Sequence, residues 1–195
     1  DVSGSYEFDG TGDYIDTTNP LSGTGDFTME GWVYPTASGT YDGYFTTCQA
    51  SGANGGIVVA KDKFFVTHGG GSSQIGFSTI ENGAWYHIAL QRISNVFSLY
   101  KNGVLQGTAS ATVSLTGSTL RLGSRYVDNT THTFEGYMSN FRIVDGSTVY
   151  TPITTGAGLD FGSSNNTITS TASHSGFDFG TNDFTIEFFY KWSTN

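Results

Sequence analysis

The stretch Gly25–Pro35 reads GDFTMEGWVYP. On an extended chain successive side chains point to opposite faces, so Phe27, Met29, Gly31 and Val33 share one face and Thr28, Glu30 and Trp32 the other. The first set reads as a core face, with Gly31 marking a place where a bulky neighbour closes on the sheet. The stretch also recurs. Gly180–Trp192 reads GTNDFTIEFFYKW, and Asp183, Phe184, Thr185 and Glu187 answer Asp26, Phe27, Thr28 and Glu30 at an offset of 157 residues (183 − 26). Leu159-Asp160-Phe161 likewise echoes Tyr6-Glu7-Phe8. These repeats divide the chain into one complete domain at 1–152, a linker at 153–158 after Thr151-Pro152, and a partial second copy at 159–195.

Outward from Gly25–Pro35 the same alternation returns every eight to twelve residues or so, broken by Gly, Asn, Asp and Ser, which is the pattern of a sandwich. Strands are predicted near 4–9, 13–18, 25–34, 41–48, 56–61, 63–68, 74–79, 85–93, 96–102, 104–109, 118–123 and 134–144. Asn102-Gly103, inside SLYKNGVLQG, predicts a two-residue type I′ hairpin because both residues tolerate positive φ. In Trp85–Ile93, Tyr86, Ile88, Leu90 and Arg92 alternate with Trp85, His87, Ala89 and Gln91. Both sets are largely apolar toward the middle, which predicts a central strand covered on both sides.

Composition agrees with an all-β chain. Of 195 residues 36% are hydrophobic and 15% aromatic, ample for a core, while only 13% are charged, leaving few exposed helix positions. A net charge of −9 with eight scattered Lys and Arg argues against nucleic acid and an anionic membrane surface as partners. No apolar run reaches the roughly 20 residues that cross a bilayer, so membrane insertion is not expected. The chain opens without Met or a charged-then-apolar leader, as expected of a processed product or a fragment. Cys48 is the only cysteine, so no intramolecular disulfide forms and a buried, inert thiol is expected.

Several motifs together resemble a laminin-G-like domain of the concanavalin A-like lectin and glucanase superfamily. In order they are Phe8-Asp9-Gly10 with Asp13-Tyr14, Asp26–Val33 (DFTMEGWV), Trp85–Ala89 (WYHIA), Leu99–Gly103 (LYKNG), Leu120–Gly123 (LRLG) and Phe134–Ile143 (FEGYMSNFRI). The closing motif is similar to versions of this domain in bacteriophage structural proteins and large extracellular proteins. Familiar members carry Asp-Glu where this chain has Ser139-Asn140. The resemblance implies a two-sheet antiparallel jelly roll, here followed by the partial copy, and a binding or architectural module.

Glucanases on this fold place carboxylates in E-x-D-x-E on one strand face, and Glu7-Phe8-Asp9 has the first two members without the third. His68-Gly69-Gly70-Gly71 resembles an esterase oxyanion loop, but no G-x-S-x-G supplies a nucleophile, so a flexible inter-strand loop is expected. The histidines, His68, His87, His132 and His174, are too scattered for zinc. Asp9, Asp13 and Asp16 cluster around the turn DGTGDYID and are candidate calcium ligands. Tyr41, Tyr44, Tyr126 and Asn129 fall in expected loops and are candidate glycan contacts. Asn129-Thr130-Thr131 and Asn165-Asn166-Thr167 are glycosylation sequons.

Half a sandwich leaves an inner face and strand edges uncovered, and such edges recruit other strands. Phe184, Ile186 and Phe188 would then be buried against a neighbouring copy, building a head-to-tail filament. The leading expectation is a non-enzymatic structural subunit of an extracellular fibre or virion appendage, located outside the cell or on the virion surface. The alternative is a carbohydrate-binding or adhesion module with glycans as partners.

Overall fold

A computed structural model describes residues 4–37, 42–68, 71–76, 78, 80–128 and 132–146. The expected linker and partial copy, with Asn165, Phe184, Ile186 and Phe188, lie outside the described residues, as do Tyr41 and Asn129.

Among the described residues twelve strands form two antiparallel sheets, as the alternation predicts. They are β1 (Tyr6–Asp9), β2 (Ile15–Thr18), β3 (Phe27–Pro35), β4 (Gly43–Thr46), β5 (Ile57–Ala60), β6 (Lys63–His68), β7 (Gly71–Gly76), β8 (Tyr86–Ile93), β9 (Val96–Lys101), β10 (Val104–Ser110), β11 (Thr119–Leu122) and β12 (Glu135–Asp145). The first sheet runs β1-β12-β3-β8-β9-β10 and the second β2-β11-β4-β5-β6-β7. The chain thus closes on itself, β1 pairing with β12 through Tyr6↔Met138 and β2 with β11 through Ile15↔Leu122.

The core lies between the sheets. Phe27, Met29 and Val33 enter it from β3, Ile88 and Leu90 from β8, and Phe64 and Val66 from β6. The bulky neighbour expected at Gly31 is Phe141: a Cβ on the glycine would sit 3.2 Å from its ring. β8 is central, and its other face is covered too, with Ala89 and Gln91 buried alongside Ile88 and Leu90. Arg92 ends the inward set, wholly buried, with Nη2 donating to Asn95 Oδ1 at 2.7 Å and to the Val113 carbonyl at 2.8 Å.

The hairpins explain their turn residues. Asn102 and Gly103 both have positive φ, 50° and 77°, and join β9 to β10 as their sequence predicts. Ser94 and Asn95 join β8 to β9 in the same way without any glycine, at φ 48° and 66°. Asp26 Oδ1 accepts the Ser94 N–H at 2.8 Å, compensating that strain. One expectation is corrected: β7 begins three residues earlier than predicted, at Gly71, and the β6–β7 ladder runs to His68↔Gly71. Gly69 and Gly70, where an inter-strand loop is expected, lie outside the described residues.

Candidate functional site

The second sheet is covered on its outer face as well as its inner one. β5 is apolar throughout: Ile57 and Val59 join the main core, while Val58 and Ala60 join a smaller cluster with Cys48 and Phe65. The segments after β4 and β11 fold across this face and bond to each other, Val127 N–H donating to the Cys48 carbonyl at 3.0 Å and Asp128 N–H to the Gln49 carbonyl at 2.8 Å. Cys48 is fully buried, and burial raises its thiol above the ordinary value, the state of an unreactive cysteine.

Between these segments and the β6–β7 edge runs a groove of about 590 Å³. Its floor is set by the pleat. Lys63, Phe65 and Thr67 are alternate residues of β6, and Gln74 and Ser72 of β7 stand opposite Phe65 and Thr67. One wall is Ser51, Gly52 and Asn54, and the other Arg125 and Tyr126. Phe65 and Tyr126 place their ring centres 6.4 Å apart at 57°, forming an apolar corner. The Arg125 guanidinium lies 5.2 Å over the Phe65 ring and its Nη1 is 3.3 Å from Asp62 Oδ1. The Lys63 ammonium is 3.6 Å from Asp62 Oδ2. Asn54 and Gln74 are exposed, with amides that no side chain or backbone group of the described residues engages.

Of the residues singled out from sequence, only Tyr126 lines this groove together with His68. Tyr44 is a correction. It sits on β4, wholly buried, with its ring 5.4 Å from Phe134 and its hydroxyl without a hydrogen-bond partner among the described residues, and burial raises its phenol well above the ordinary value. The cause is a bulge between Gly43 and Phe45, which sends two consecutive aromatics inward where alternation would expose one. Phe65, Lys63, Asn54, Gln74 and Arg125 were not anticipated, since they come from three separate segments and share no local spacing.

The aspartates divide. Asp9 and Asp13 share a turn, Asp13 Oδ2 accepting from the Asp9 N–H at 3.0 Å and Asp9 Oδ1 from the Thr11 N–H at 2.7 Å. Asp16 instead grips Arg121, Nε at 2.7 Å and Nη2 at 2.8 Å, beneath the ring of Tyr14. Among the described residues no group of three His, Cys, Asp or Glu side chains is placed to hold a metal ion. Glu7 accepts a hydrogen bond from the Tyr137 hydroxyl at 3.3 Å.

A second concavity of about 580 Å³ opens beside β1, lined by Tyr6, Phe8, Leu122, Met138 and Phe141. It is chiefly apolar. On the outer face of the first sheet, His87 Nε2 is 3.3 Å from Glu30 Oε2, Arg142 bonds Glu30 Oε1, and the Trp32 and His87 rings lie 5.3 Å apart. No helix among the described residues is long and apolar enough to cross a membrane.

Solved structures share this architecture. Domain 4 of AbnA, an extracellular arabinanase from Geobacillus stearothermophilus solved with arabinotriose, is similar at a TM-score of 0.61 and 19% identity, over 73% of this chain and 70% of that one. The CBM40 of the Ruminococcus gnavus IT-sialidase, bound to α2,3-sialyllactose, is similar at 0.56 and 11% identity, over 71% and 88%. Domains LG4-5 of the mouse laminin α1 chain follow at 0.54 and 15%, over 71% and 40%. At such identities the likeness is one of fold. No curated protein matches the chain in sequence. A laminin-G family model matches residues 9–150, from the opening turn to just past β12, and on that match the chain belongs to the concanavalin A-like lectin/glucanase superfamily.

Proposed function

We propose that the protein is a non-enzymatic carbohydrate-binding module acting outside the cell, and that the groove on the outer face of the second sheet receives the sugar. The observation that carries this reading is the groove itself. It sets a half-exposed tyrosine beside Phe65 and two exposed amides at Asn54 and Gln74, the combination of stacking surface and orienting polar groups that a sugar ring requires. Support also comes from the arabinanase domain solved with arabinotriose and the sialidase module bound to sialyllactose, which share the fold. Retaining and inverting hydrolysis both need a pair of carboxylates, and none of the described residues lining the groove is Asp or Glu.

A glycan array followed by calorimetry on the full chain tests it. Tyr126→Ala removes the ring on which a sugar would stack, and saccharide binding should weaken about tenfold or more. A folded protein that binds no saccharide would end this reading.

The structural-subunit reading places its contacts at Phe184, Ile186 and Phe188, outside the described residues, and draws no support from the similar structures. Calcium enters the proposal only at the Asp9–Asp13 turn, where two carboxylates would need backbone carbonyls and water to complete a shell. A melting temperature unmoved by calcium and by chelator would remove it.

A further inference from the structure

The apolar corner of the groove is a notch and not a platform. Phe65 is 7% exposed, too little to offer a ring face, and Tyr126 meets it at 57° with ring centres 6.4 Å apart. Arg125 closes the notch as a wall, lying over the Phe65 ring with Nη1 on Asp62. A sugar ring can stack on Tyr126, and the angle between the two rings is left for a small apolar group such as a methyl. An amide stands beside that angle. Gln74 is paired directly with Phe65 across the β6–β7 ladder, so the two side chains leave the same face of the sheet with Cβ atoms about 5 Å apart. Asn54 is exposed on one wall as Gln74 is on the floor, and each amide carries donors and an acceptor together.

We propose that this groove selects an N-acetylated saccharide, the acetamido methyl entering the notch of Phe65 and Tyr126 while its N–H and C=O bond the amides of Gln74 and Asn54. The proposal rests on the carbohydrate-binding reading and specifies the ligand class. Two features support it. The first is the kind of polar group present. Sugar hydroxyls donate most strongly to carboxylates, and none of the described residues lining the groove is Asp or Glu. An acetamido group presents one N–H and one C=O, which neutral amides match with an acceptor and a donor. The second is juxtaposition. Methyl and amide are neighbours within a single acetamido group, as the Phe65 ring and the Gln74 amide are neighbours across one rung of the ladder. A hydroxyl at the same sugar position would leave the notch unfilled and one of the two amide contacts unmade.

The test is calorimetry of the full chain against three probes: chitotriose, its N-formyl analogue, and cellotriose, which carries hydroxyls in place of the acetamido groups on the same backbone. We expect chitotriose to bind about tenfold or more tighter than cellotriose, the worth of an amide contact and a buried methyl together. The N-formyl analogue keeps the amide without the methyl and should bind about fourfold more weakly than chitotriose. On the glycan array the same preference should separate N-acetylgalactosamine from galactose. Gln74→Met should reduce the preference several-fold, and Tyr126→Ala should weaken every saccharide. Cellotriose and galactose bound as tightly as their N-acetylated counterparts overturn the proposal while leaving the carbohydrate reading intact. So does binding confined to saccharides without an acetamido group, an N-formyl analogue as tight as chitotriose, or a preference that survives both Gln74→Met and Asn54→Leu. Absence of binding to every probe and to the glycan array overturns both.

Discussion

At Glu30 the outer face of the first sheet brings a buried carboxylate against an imidazole and a guanidinium. The hydrogen bond from His87 holds its carboxyl below the ordinary range, burial opposes that, and the hydrogen bond and charge of Arg142 lower it further. A group whose folded pKa is depressed adds stability above its unfolded value, here 4.5, and loses it as pH falls through the folded value. Glu30→Gln should therefore cost about 1–2 kcal/mol near neutrality, and the cost should shrink as pH drops below about 4. Urea unfolding of both proteins at about pH 7 and about pH 3.5 reads the difference, and an equal gap at both would contradict the account. Arg92 poses the opposite case. Desolvation lowers its pKa, its Nε has no partner among the described residues, and its Nη groups reach three separate acceptors, Asn95 Oδ1 and the Val113 and Gly23 carbonyls. A lysine cannot span that set, so Arg92→Lys should destabilise by about 2–4 kcal/mol, with a shifted urea midpoint and an unchanged slope.

The elements show what each residue of D-F-T-x-E, the unit that recurs, and of the Trp32 that follows it does in the fold. Asp26 accepts the Ser94 N–H of the β8–β9 turn, Phe27 enters the core, Glu30 joins β8 to β12 through His87 and Arg142, and Trp32 lies against His87. Each position is read by a strand that arrives much later in the chain. Period-two alternation and glycine-bearing turns made the strands legible, because those signals are local. What stayed hidden needed non-local information: the Ser94-Asn95 turn relies on Asp26 to offset its positive φ, and the bulge at Gly43 turned Tyr44 inward. The groove was hidden for the same reason, since residues 51–54, 63–74 and 125–126 meet only after both sheets form. Two glycines give this scale its prediction. A Cβ at Gly136, where φ is +141°, would lie 2.1 Å from the Tyr34 carbonyl oxygen, so nothing short of backbone movement accommodates it. At Gly31 the same atom would meet the edge of the Phe141 ring at 3.2 Å, which can shift slightly. Gly136→Ala should cost more than about 3 kcal/mol and Gly31→Ala about 1 kcal/mol, ranked by thermal or urea unfolding.

For the whole molecule the closure of the sandwich sets what a chain shortened at its C-terminus should retain. Among the described residues twelve strands fall within Tyr6–Asp145, β1 returns to β12 and β2 to β11, and both apolar clusters are drawn from residues 8–143. The groove, too, is built from positions 51–126. A chain ending at Pro152 therefore keeps every strand pairing of the described residues, and it should unfold in one cooperative transition and keep saccharide affinity within about twofold of the full chain. The same deletion separates the two functional readings. If residues 159–195 build a filament through Phe184, Ile186 and Phe188, light scattering and microscopy should find polymers of the full chain and monomers of the shortened one, with sugar binding common to both. Polymers that persist without those residues would remove them from assembly, and loss of sugar binding on deletion would move the ligand site away from the second sheet.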